Sequence, residues 1–121
     1  MKIRIYYDST DAGGIVYHTE YIKFCEQARS EIFFKNGIFF ENEGYVVNEL
    51  KAKYHSPAKL GDIIEIKTKI LNRTRVKIDI LQEIYKDEKK LFTLELSVVY
   101  MKNGKIAKIP QEHIKILNEY S

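Results

Sequence analysis

The chain is poor in the residues that staple or interrupt a fold. Its 121 residues include one cysteine, two prolines and no tryptophan. A single cysteine, Cys25, excludes an internal disulfide, and its place in an apolar helical pattern marks it as a core residue of a reducing compartment. Two prolines and no low-complexity stretch exclude a disordered or linker-like chain. No apolar run approaches the roughly 20 residues of a membrane span, and the opening "MKIRIYYDST" lacks the apolar stretch of a signal peptide. A soluble, cytoplasmic protein with no membrane span is expected. Single-sign charge is missing too: 20 basic and 17 acidic residues are interleaved, for a net charge of +3. There is no basic tail of the nucleic-acid type, so no nucleic-acid partner is expected, and the small excess suits an anionic ligand.

What is present is enough for one domain. A chain of this length buries roughly two thirds of its unfolded surface and needs neither disulfide nor metal. A first strand is predicted over residues 2–7, followed by a polar loop and a helix over about 19–36, with Gly37 as its left-handed cap. At 100° per residue, Tyr21, Phe24, Cys25, Ala28 and Ile32 fall together, and Ile22 and Phe33 widen the apolar arc to about 180°. Such a helix requires a partner that curves around it. Arg29 lands inside that arc, where it either snorkels or pairs with Glu26.

The remainder reads as strands: 45–56, 63–71, 76–85 and 91–101. "PAKLGD" is read as the turn after the first of these, "KNGK" (102–105) as an Asn-Gly hairpin leading a short strand to Ile109, and "QEHIKIL" as a final helix behind Pro110. Short turns between long strands imply an antiparallel sheet. The expected architecture is α+β, a long curled antiparallel sheet wrapped around one N-terminal helix, as a single domain over 1–121.

The loop "DSTDAGGIVYHTEYIKF" (8–24) is the chemically unusual stretch. It has no phosphate-loop pattern, and Asp8, Asp11 and His18 are not joined by any spaced cluster of further ligands, so no metal site is expected. A third reading is a catalytic carboxylate. Gly13 and Gly14 permit close approach of a substrate, and the first N–H groups of the helix, around His18, are unsatisfied donors able to polarise a carbonyl oxygen. Asp11, seven residues earlier, has the chemistry of a base or nucleophile. A thioester suits such sparse machinery, because a thiol of pKa roughly 8.5 leaves with little help. The alternative is an Asp that merely shapes the turn, the more common role of Asp in such a stretch, and the pattern by itself does not decide between the two.

The stretch 6–33, with Thr10, Asp11, Gly14, Ile15, Val16, Tyr17, His18, Tyr21, Glu26, Ala28 and Arg29 in register, resembles the opening of the YbgC-like branch of the 4-hydroxybenzoyl-CoA thioesterase family, which has the hotdog fold. "KYHSPAKLGD" (53–62) is similar to that family's Pro-Ala hairpin. The resemblance implies hydrolysis of acyl-CoA thioesters, with coenzyme A as part of the substrate and no separate cofactor. It implies Asp11 as the catalytic carboxylate, attacking directly or through water, and the His18 N–H as the carbonyl donor, with a contribution from the imidazole left open. Gly14 gives clearance, Asp8 is structural, and Tyr7 and Tyr17 line the acyl pocket or fill the core. Arg73 and Arg75 in "NRTRVK" match the segment that meets the CoA phosphates, with Lys59 and Lys89 as weaker candidates. Glu26 and Arg29 are structural. A homo-oligomer, a tetramer built from dimers, is implied. A dehydratase on the same fold and a non-catalytic acyl-CoA-binding module are the alternatives.

Overall fold

The computed structural model describes residues 1–121. In chain order it contains β1 (Lys2–Arg4), a 3-10 turn (Tyr7–Ser9), α1 (His18–Phe34), β2 (Glu43–Tyr54), β3 (Ile63–Arg73), β4 (Lys77–Lys86), β5 (Lys89–Lys102), β6 (Lys105–Ile106) and α2 (Gln111–Leu117), and ends in a 3-10 turn, Asn118–Tyr120. One sheet runs in the order β1-β3-β4-β5-β2, with β6 added to β5. Every pair is antiparallel.

The strands alternate as half-buried strands must. On β4, Ile78, Ile80, Gln82 and Ile84 point inward while their neighbours are partly exposed. Their partners Leu94, Leu96 and Val98 on β5 complete the concave face. α1 lies in that concavity, burying Tyr21, Phe24, Cys25, Ala28, Ile32 and Phe33. Those six residues span the half-circle anticipated from their spacing, so the curled sheet is what the wide apolar arc required. At the far end Gly37 takes φ 80, and the N–H of Ile38 returns to the Phe33 carbonyl at 3.1 Å. The α1 terminus is thereby closed in the left-handed manner. Asn103 and Gly104 both take positive φ, as an Asn-Gly hairpin requires.

Several expectations are corrected. The first strand stops at Arg4, because a 3-10 turn over Tyr7–Ser9 swings the chain outward. Tyr7 and Tyr17 are accordingly 78% and 54% exposed and fill no core. "PAKLGD" does not join neighbouring strands. It belongs to a link, 55–62, that crosses from β2 at one edge of the sheet to β3, three places away. The short strand after the Asn-Gly turn ends at Ile106. Arg29 neither snorkels nor meets Glu26: its Nη1 donates to Gln82 Oε1 at 2.9 Å, while Glu26 accepts from the Ser30 hydroxyl. Gln82 is fully buried, and its amide nitrogen donates to the Cys25 carbonyl and to Thr68 Oγ1. A fully buried glutamine and a partly buried arginine, each on an apolar face, are thus hydrogen-bond partners where α1 meets the sheet.

Candidate active site

The loop between β1 and α1 folds into a small hairpin. Thr10 bridges Val16, and the N–H of Asp11 donates to the Ile15 carbonyl at 2.9 Å. At its tip Asp11 Oδ1 accepts from the N–H groups of Gly13 (2.9 Å) and Ile15 (3.1 Å). This is an Asx-type turn. It occupies one carboxylate oxygen; Oδ2 has no hydrogen bond within the chain, and Asp11 is exposed. Gly14 adopts φ 79, a conformation costly for any residue with a Cβ.

The crossover 55–62 holds this hairpin from the other side. Val16 N–H donates to the Ala58 carbonyl at 3.0 Å, Leu60 N–H to the Gly14 carbonyl at 2.8 Å, and Ile15 bridges Lys59. Ala58 N–H in turn donates to the buried Tyr21 hydroxyl on α1 at 2.9 Å. Burial raises the pKa of that hydroxyl, which therefore stays neutral. Helix, crossover and hairpin form one hydrogen-bonded unit.

α1 starts at His18 behind Tyr17, whose side chain makes no cap. The N–H groups of His18 and Thr19 have no acceptor in the chain. They face the region where the helix dipole favours a developing negative charge. A cavity of about 300 Å³ opens there, lined by Val16, His18, Tyr21, Tyr54, His55 and Pro57 among others. The rings of Tyr17 and His18 lie 4.7 Å apart beside it.

The structure thus brings Asp11, Gly14, Tyr17 and His18 onto one end of the sheet, with Tyr7 on the adjoining turn. Asp8 sits in that turn, its Oδ1 accepting from the Ser9 hydroxyl at 3.5 Å. Arg73 and Arg75 lie at the opposite end. β3 begins beside the crossover at Ile63 and reaches Arg73 only after 11 residues, roughly 33 Å on. Lys59 and Lys89, by contrast, line a second cavity of about 330 Å³ at the Asp11 end, together with Asp62 and Lys86. Burial works against the Asp62 charge. The Lys86 ammonium at 2.9 Å and the Lys59 N–H outweigh it and hold the carboxyl below the usual range. Tyr54 and His55, which line the first cavity, carry no signal in the sequence beyond an aromatic residue at a strand end. Among the chain's carboxylates, histidines and its cysteine, no group of three is placed to hold a metal.

The pattern of the thioesterase superfamily matches residues 13–93. The chain belongs to that family. It is 46% identical over 87 residues to the acyl-CoA thioesterase YbgC of Helicobacter pylori, a match covering 70% of this chain and 65% of that protein. It is 36% identical over 94 residues to the acyl-CoA thioester hydrolase YbgC of Escherichia coli O6:H1, covering 74% and 70% respectively. Among solved structures, a probable thioesterase from Bartonella henselae superposes with a TM-score of 0.81 at 30% identity, covering 91% of this chain and 96% of that one. The curled sheet around its helix is the hotdog fold of these thioesterases. No helix of the chain is long and apolar enough to cross a membrane.

Proposed function

We propose that the protein hydrolyses acyl-CoA thioesters to the free acid and coenzyme A. The observation that carries this reading is the Asp11 carboxylate, presented on an exposed hairpin with one oxygen unpartnered, next to a helix start whose N–H groups are open. The His18 N–H polarises the thioester carbonyl. Either Asp11 attacks the carbonyl carbon, giving a mixed anhydride once the thiolate has left, which water then hydrolyses to the free acid and the restored carboxylate, or it takes a proton from water that attacks the carbonyl carbon directly. On either route the departure of the CoA thiolate is eased by its low basicity. Gly14 and Tyr17 shape the approach, Tyr7 flanks it, and the His18 ring stands at the cavity wall.

The CoA phosphates need cations. Lys59 and Lys89 serve from the same chain, being at the Asp11 end. Arg73 and Arg75 are able to serve only from a second copy. β2 is an edge strand with exposed Val46, Val47 and Leu50, which invites pairing. Antiparallel pairing of β2 with its own copy reverses the partner sheet and sets its far end beside the Asp11 end. A homo-oligomer, dimeric at least and tetrameric by further association, is part of this reading, as is a cytoplasmic location suited to the reduced Cys25.

Thiol release from a panel of acyl-CoAs, measured for wild type and Asp11→Asn, tests the assignment. A fall of roughly 100- to 10,000-fold is expected for loss of such a group; an undiminished rate refutes it. In the same assay, alanine at Lys59 and Lys89 raises KM, while alanine at Arg73 and Arg75 does so only if sedimentation shows an oligomer.

A further inference from the structure

Resting on that reading, we infer that Tyr54 is a positioning residue for the carbonyl-polarising turn of α1. Its hydroxyl donates to the main-chain carbonyl of His18 at 2.6 Å. The residue lies 36 positions further along the chain, at the end of the edge strand β2. It is about half exposed, yet its ring is fixed: it lies 4.9 Å from the Phe92 ring and 5.6 Å from that of Tyr21, the latter edge-on. Both of those rings are buried. The hydroxyl is therefore delivered by a rigid aromatic group, not by a flexible surface side chain.

The carbonyl it bonds is a consequential one. The His18 carbonyl shares its peptide group with the Thr19 N–H, and the His18 N–H is on the peptide group immediately before. Both N–H groups lack acceptors, and Tyr17 provides no side-chain cap to fix them. The first turn of a helix is the part most prone to fray. A hydrogen bond to the carbonyl side of the Thr19 amide holds that peptide plane. It also polarises the N–H, because hydrogen-bonded groups in series strengthen one another. Catalysis by such donors depends on their being set before charge develops on the substrate oxygen. The Tyr54 hydroxyl bonds the His18 carbonyl and makes no hydrogen bond to Asp11; it acts through the turn.

Tyr54→Phe retains the ring and removes only the bond. The expected result is a fall of about tenfold in kcat with KM within twofold, since a loosened donor costs less than a deleted one, for which 100-fold or more is usual. The Thr19 amide nitrogen resonance shifts upfield at the same time, whereas a packing role alone leaves that resonance and kcat unmoved. Asp11→Asn is run alongside. If it is inactive and Tyr54→Phe keeps wild-type kcat, the positioning role falls and the hydrolase reading stands. If Asp11→Asn retains the wild-type rate, the hydrolase reading falls and takes this inference with it.

Discussion

Replacing Tyr21 by Phe tests whether the site is held together from the core. Tyr21 is 3% exposed, and its hydroxyl is the acceptor of the Ala58 N–H, itself completely buried. The substitution keeps the ring, with its stacking on Phe92 at 5.3 Å and its edge contact with Tyr54. The cavity left is only that of one oxygen. The dominant cost is a buried N–H with no acceptor, about 1–3 kcal/mol. For a chain of this size 1 kcal/mol moves Tm by roughly 3–6 °C, so a decrease of about 3–18 °C is expected. Urea unfolding followed by circular dichroism should show a lower midpoint with an unchanged slope. Protein concentration must be held fixed, because association shifts apparent stability. Hydrogen exchange should quicken at Ala58 and at Val16, which donates to the Ala58 carbonyl. Tyr21→Ala, which also loses the ring, should cost about 3–5 kcal/mol. A midpoint within 1 °C of wild type for Tyr21→Phe, or equal losses for Phe and Ala, would refute the reasoning.

Two further outcomes follow from buried titratable groups. His113 on α2 is buried against Phe33, Phe40, Tyr45 and Tyr100; its Nδ1 pairs with the Tyr45 hydroxyl at 2.9 Å, and Nε2 lies 3.7 Å from Glu43. Burial lowers its pKa against the pull of Glu43 and Glu112, with Lys102 adding to the lowering. The unfolded chain therefore binds the proton more readily, so its contribution to stability is complete above about pH 6.5 and is lost as pH falls towards the folded pKa. Tm measured from about pH 8 to 5 should fall below that point, and His113→Asn should flatten the curve; an unaltered slope in the variant refutes the assignment. Burial also pushes the Cys25 thiol up to about 12, opposed by Arg29. A disulfide reagent at about pH 8 should leave the native protein unlabelled and titrate one thiol in denaturant. Rapid stoichiometric labelling of the native protein would contradict the buried position.

The elements that local periodicity controls were readable from the chain. The width of the α1 arc foretold the curled sheet, and "NG" at 103–104 foretold a hairpin with both residues at positive φ. What escaped was decided by partners distant in sequence. The link 55–62 looks like any Pro-Ala turn; that it crosses the sheet depends on β5 taking β2 as its neighbour. Arg29 and Gln82 were each visible as a polar residue on an apolar face, and only the fold shows that they are partners. Placing Arg73 and Arg75 far from Asp11 is likewise a matter of strand direction, which residue identity does not encode. Tyr54 is invisible for the same reason: nothing in "KAKY" reveals that its hydroxyl reaches the start of α1.

The two stretches that resemble the family, 6–33 and 53–62, are separate in sequence and inseparable in structure. The second supplies the main-chain partners of the first, through Ala58 to Val16, Lys59 to Ile15 and Leu60 to Gly14. Gly14 illustrates the dependence. A Cβ there would stand 3.8 Å from that of Leu60, which is tolerable, but its φ of 79 is not a conformation that an L side chain readily takes. The glycine is required by the path of the hairpin, and that path is dictated by the crossover it pairs with. The "P-A" segment is therefore scaffold for the Asp11 hairpin, and that hairpin takes its path only because β2 delivers the crossover, and Tyr54 with it, to the start of α1.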